Sequence, residues 1–154
     1  MNIDDIYSAA IEGDKELLTR LLEAGEVDIN ELIDCGLTDG VYVKIPVLYS
    51  ILLHMSQNGY NYEILDILVN YGINLDACSE IKNEAFERNV PMIAYAIRDF
   101  KSVELVKYLL ERGAYPDMLQ LEFYADGHHE HYPLIYFAIS FWDDCKMLEV
   151  LLKY

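Results

Sequence analysis

One pattern recurs four times along this chain, and no other feature restricts its fold as strongly. The copies are GDKELLTRLLEAG from Gly13 to Gly25, GYNYEILDILVNYG from Gly59 to Gly72, KSVELVKYLLERG from Lys101 to Gly113 and DDCKMLEVLLKY from Asp143 to Tyr154. Near the start of each, at the same offset, stands a hydrogen-bond acceptor: Asp14, Asn61, Ser102 and Asp144. A side-chain oxygen there can take up the free amides of a first helical turn. Apolar residues follow in adjacent pairs one turn apart: Leu17, Leu18, Leu21, Leu22; Ile64, Leu65, Leu68, Val69; Leu105, Val106, Leu109, Leu110; Met147, Leu148, Leu151, Leu152. That spacing is one buried face of a 3.6-residue period. Gly25, Gly72 and Gly113 close the first three copies, where a left-handed helix end favours a residue without Cβ. The fourth would need its glycine just beyond Tyr154.

A second motif precedes three of these helices: PVLYSIL from Pro46, PMIAYAI from Pro91 and PLIYFAI from Pro133. Proline suits a first helical turn, where its missing amide is no loss, and the small Ala96 and Ala138 let a neighbouring helix approach. Helix pairs are therefore expected to repeat. The first has Ser8-Ala9-Ala10 but no proline, as befits a terminal unit. Between pairs, Asp39-Gly40 ahead of alternating Val41 to Ile45 reads as a hairpin, and Asp126-Gly127 repeats the device. Ala77 to Asn89, polar and rich in helix formers, reads as a short helix or loop. HMSQNGYN lengthens the first helix or inner loop of the second unit.

The proline-led short helix with its small residue, the second helix ending in Leu-like pairs and Gly, and the tails Asp28-Ile29-Asn30 and Asn74-Leu75-Asp76 resemble the ankyrin repeat. The resemblance implies an all-α fold, an ankyrin-type helical repeat solenoid of about four helix pairs with β-hairpin-like fingers and long inter-repeat loops. One domain, 1–154, is expected, with repeats roughly at 1–30, 41–77, 87–117 and 129–154. Two departures stand out. The proline lies one residue earlier relative to the small residue than in the usual Thr-Pro-Leu-His pattern. The Pro46–Pro91 and Pro91–Pro133 spacings, 45 and 42 residues, exceed the roughly 33 of the consensus unit.

Composition narrows the function classes. With 154 residues and 53% hydrophobic content, there is apolar material for one continuous core. Lys plus Arg is 11 against 27 Asp plus Glu, a formal charge of −16, which repels phosphate backbones and anionic lipid. Neither nucleic acid nor membrane is expected as a partner. No apolar run approaches the roughly 20 residues of a membrane span, and the acidic Asn2 to Asp5 is unlike a signal peptide. A cytoplasmic protein is expected, with Cys35, Cys78 and Cys145 as free thiols because no CxxC pairs them.

Chemistry is suggested only by His128-His129-Glu130-His131. On a strand, His129 and His131 would share a face and could share a metal, though no third ligand is visible nearby. No phosphate-binding glycine loop, GxSxG or HExxH occurs, so no enzyme activity, no resident metal and no cofactor are expected. Rings on fingers or at helix turns are candidate anchors for a protein partner. The expected contact residues are Tyr42, Lys44, Arg98, Phe100, Phe123, Tyr124, His129, His131, Phe141 and Trp142. The resemblance implies a non-catalytic interaction module, an adaptor or inhibitor, binding a protein on its finger and concave face. One alternative is an acidic immunity protein or antitoxin neutralising a basic toxin, and another is metal binding through the His128–His131 finger. The uncapped last helix would leave a monomer or weak end-to-end dimer.

Overall fold

The computed structural model describes residues 2–154; Met1, first position of the expected first repeat, lies outside them. Eight helices and six strands are found among the described residues: α1 (Ile3–Glu12), α2 (Lys15–Ala24), β1 (Leu32–Thr38), β2 (Val41–Pro46), α3 (Val47–Asn58), α4 (Tyr62–Asn70), β3 (Cys78–Lys82), β4 (Phe86–Pro91), α5 (Met92–Arg98), α6 (Val103–Glu111), β5 (Leu119–Tyr124), β6 (His129–Pro133), α7 (Leu134–Phe141) and α8 (Lys146–Lys153). They divide into two compact units, one holding the chain up to Ile33 with Ile45–Asn74, the other Asp34–Lys44 with Leu75–Tyr154.

In the first unit, α1 packs on α2 and α3, and α2 on α4. Ile6, Leu18, Leu48, Ile51, Leu52, Ile64 and Leu68 fill its core, so the apolar pairs face inward as their period requires. Asp14 and Asn61 cap α2 and α4 by accepting from the amides of Leu17 and Ile64. Asn2 and Asp5 form a reciprocal capping box on α1, which the repeat pattern did not suggest. The HMSQNGYN stretch extends α3 to twelve residues. The Asp/Asn tails bind one copy to the next: Asn30 donates to the Gly72 carbonyl and accepts from the Asn74 amide.

In the second unit, α5 packs on α6 and α7, and α8 on α6 and α7. Met92, Ile93, Ile97, Leu105 and Leu109 are fully buried. Ser102 caps α6 as expected, but Asp144 does not cap α8. That helix starts one turn-residue later, after Cys145, and the Asp144 carboxylate instead accepts from the Lys146 amide and pairs with its ammonium. The three prolines also stand just outside their helices, in extended conformation with ψ of 146° to 154°. Each ends a strand, and the missing amide marks the corner from strand to helix.

The largest correction concerns the sheet. All six strands join one antiparallel sheet in the order β1-β2-β3-β4-β5-β6, and 23% of the chain is strand, so the all-α solenoid expectation fails. The physical reason is the middle connection, Ala77 to Asn89, which is neither helix nor loop but a third hairpin. Asn83 turns it by accepting from the amides of Ala85 and Phe86 while its own amide bonds the Phe86 carbonyl, a local competition that overrides the helix propensity of its neighbours. With three hairpins side by side, their edge amides and carbonyls pair rather than remain separate fingers. The outer hairpins form as the sequence suggested. Asp39 and Gly40 both have positive φ, 52° and 78°, the requirement of a tight two-residue hairpin turn. At the other end, Gly127 lies at φ 87°.

Candidate protein-binding face

Strand register sorts the side chains into rows across the sheet. Tyr42, Lys82, Glu87, Phe123 and His129 form one row, and Lys44, Glu80, Asn89, Leu121 and His131 another. Because alternate residues share a face, these two rows lie on one side of the sheet. The row between them, Val43, Ile81, Arg88, Glu122 and Glu130, lies on the other.

The inner row carries a polar network that fixes the strands. Glu122 is only 5% exposed. It accepts from Gln120 and Tyr124, each at 2.7 Å, and pairs with Arg88 at 2.6 Å. Arg98 of α5 extends the network to Gln120 at 3.3 Å and lies over the rings of Tyr95 and Phe137. Burial alone would push the Glu122 carboxyl up. The bonds from Tyr124 and Arg88, the Arg88 charge and the bond from Gln120 outweigh it and hold the group below its ordinary value. The Tyr124 hydroxyl, donating to that carboxylate, is pushed up to about 12. Tyr132 does the same to Glu130 and is likewise pushed up to about 12. Glu130 is lowered by the Tyr132 bond first and then by His128. Every charge here is engaged within the chain, and the arrangement offers no nucleophile with an adjacent base.

The outer rows present a different surface. Phe123 is 43% exposed and stacks on His129; His129 and His131 are exposed. Lys82 pairs with Glu87 across the strands at 3.2 Å, and the Lys44 ammonium sits over the Tyr42 ring, whose hydroxyl donates to Asp34. At one end of this face, a cleft of 690 Å³ opens between the first two hairpins, lined by Leu37, Gly40, Tyr42, Lys82, Asn83, Glu84 and Ala85. Leu37 at its lip is 71% exposed.

The ten expected contact residues therefore do not make one groove. Tyr42, Lys44, Phe123, His129 and His131 meet on the outer face. Tyr124 and Arg98 belong to the opposite network, Phe100 stacks on Tyr95, and Phe141 lies by Phe137. The indole of Trp142 donates to the Ile97 carbonyl at 2.8 Å, which ties α7 to α5. Lys82 and Glu87 were missed because a hairpin was not expected there, and Leu121 and Leu37 because a lone Leu on a hairpin carries no sequence signal for contact. Among the described residues, no group of three or more His, Cys, Asp or Glu could hold a metal ion, and no helix is long and apolar enough to cross a membrane.

The second unit combines most of the antiparallel sheet with helices α5 to α8, a mixed α/β arrangement. Among solved structures, the whole chain is similar to a chain in the complex of a predatory endopeptidase from Bdellovibrio bacteriovorus with an immunity protein: the match covers 97% of this chain and 62% of that one, at 20% identity and a TM-score of 0.54. The chain thus spans less than two thirds of that chain's length, and at this identity the likeness concerns fold alone. No family model matches the sequence, and no curated protein does. With the six-stranded sheet, these findings replace the ankyrin solenoid reading by the mixed α/β fold of that complex.

Proposed function

We propose that this chain is a non-catalytic binding protein of the immunity type, which holds an enzyme and blocks it. The observation carrying this reading is the shared fold with a chain of an endopeptidase and immunity-protein complex. Fold does not fix function, and the surface lends the reading further support. The outer sheet face has an exposed aromatic, a lipped cleft and charges of both signs, Lys44 and Lys82 among Asp34, Glu80 and Glu87. Of these charges, Lys82 and Glu87 are already paired across the strands, which lowers the cost of covering them. The net charge of −16 acts at longer range and steers a basic enzyme to the face. A cytoplasmic setting is part of this proposal, because three widely spaced cysteines without a CxxC pair suit a reducing compartment.

The test is capture of partners on the full chain from its source cells, followed by assay of the captured enzyme. A hydrolase should be retained and lose activity in proportion to added chain. Capture of non-enzymatic partners only, or a retained enzyme with full activity, would overturn the inhibitor reading.

A further inference from the structure

We propose that His129 and His131 form a two-imidazole chelate for a divalent transition metal on the exposed face of strand β6. This inference is independent of the immunity reading and rests on geometry. Both residues lie on the last strand of the sheet, two positions apart, so their side chains leave the same face. Their cross-strand partners are Phe123 and Leu121, neither of which competes for a cation. The ring centres stand 5.2 Å apart with planes inclined by 38°.

That spacing is what a shared ion requires. A metal–imidazole nitrogen bond is about 2.0–2.1 Å, and the ring centre lies roughly 1.1 Å further on, so each centre sits about 3.2 Å from the ion. Two such ligands at an angle between square and tetrahedral would have centres about 4.5–5.2 Å apart. The observed pair is at the tetrahedral end of this range. His128 takes no part: its ring is engaged with Glu130, at 3.3 Å, and lies by the ring of Tyr124.

No third side chain completes the shell among the described residues, which makes this a surface chelate with open positions for water. It differs in kind from a closed structural site. Affinity should follow the imidazole order, copper and nickel above zinc, with magnesium and calcium excluded because they prefer oxygen.

Nickel chloride is the probe, titrated into the full metal-free chain by calorimetry and by proton spectra of the histidine rings. The expected result is one site per chain, with the His129 and His131 ring signals broadened first and those of His128 and His54 later. His129→Asn and His131→Asn should each weaken binding by about tenfold or more, by analogy with the loss that follows even outer-shell changes, and His128→Asn should leave it unchanged. All three residues are exposed, and unaltered thermal midpoints would verify that the variants fold. Equal broadening at His128, or single variants that bind nickel as the parent does, would overturn the proposal.

Discussion

At the scale of single residues, the buried carboxylate of Glu122 is the most consequential group. Removing it strands Arg88 and leaves Tyr124 and Gln120 without an acceptor. Glu122→Ala should therefore cost about 2–3 kcal/mol, in the range for hydrogen bonds to charged groups, whereas Glu80→Ala on the outer face should stay within about 0.5 kcal/mol; urea unfolding separates the two. The carboxyl is held below its ordinary 4.5, so its contribution is fully present above that pH and is lost as pH falls through the lowered value. Glu122→Gln should flatten the fall of thermal midpoint with acidification. The 13 tyrosines should not titrate together in alkali. Tyr124 and Tyr132, at about 12, should give phenolate absorbance late, and Tyr124→Phe and Tyr132→Phe should each reduce that late phase. Trp142, expected to be a contact, is half-buried and bonded to the Ile97 carbonyl. Trp142→Phe should cost about 1 kcal/mol of stability, while Phe123→Ala should cost little stability and, if the outer face is the docking surface, about 2 kcal/mol or more of partner affinity.

At the scale of elements, four sequence copies that look equivalent turn out to differ in their caps. Asp14, Asn61 and Ser102 each accept from an amide three residues on, and Asp144 from one two residues on. Asn61→Ala or Ser102→Ala should lower stability by about 1 kcal/mol, with Asp144→Ala at about half that or less, and thermal unfolding of the three variants checks the order. The shift at Asp144 was not visible in the sequence, because the offset is identical and only the packing of α8 decides where the helix begins. Hairpins show the same division. Asp39-Gly40 announces its turn, since few other pairs tolerate two left-handed residues. Asn83-Glu84-Ala85 does not, because its turn depends on one amide side chain and on strands that exist only when paired. The register that places Tyr42 beside Lys82 and Phe123 beside His129 is likewise set by the whole sheet.

At the scale of the whole molecule, charge and fold act on partner binding in different ways. If an acidic field steers a basic enzyme, its association rate should fall as salt rises from low to physiological strength, with a smaller change in dissociation rate; surface-based kinetics at several salt concentrations would show it, and a salt-independent association rate would count against steering. The sequence by itself determined the elements that local chemistry controls: where α2, α4 and α6 start and stop, which of their faces is buried, and where two of the three hairpins turn. Helix caps, apolar periodicity and left-handed glycines act over a few residues, so they can be read from a line of text. Only the tertiary structure decided that the hairpins merge into one six-stranded sheet, that Ala77 to Asn89 supplies the strands joining them, and that half of the expected contact residues share a face. Strand pairing and burial are set between segments far apart in the chain, and the free energy that selects them exists only once those segments meet.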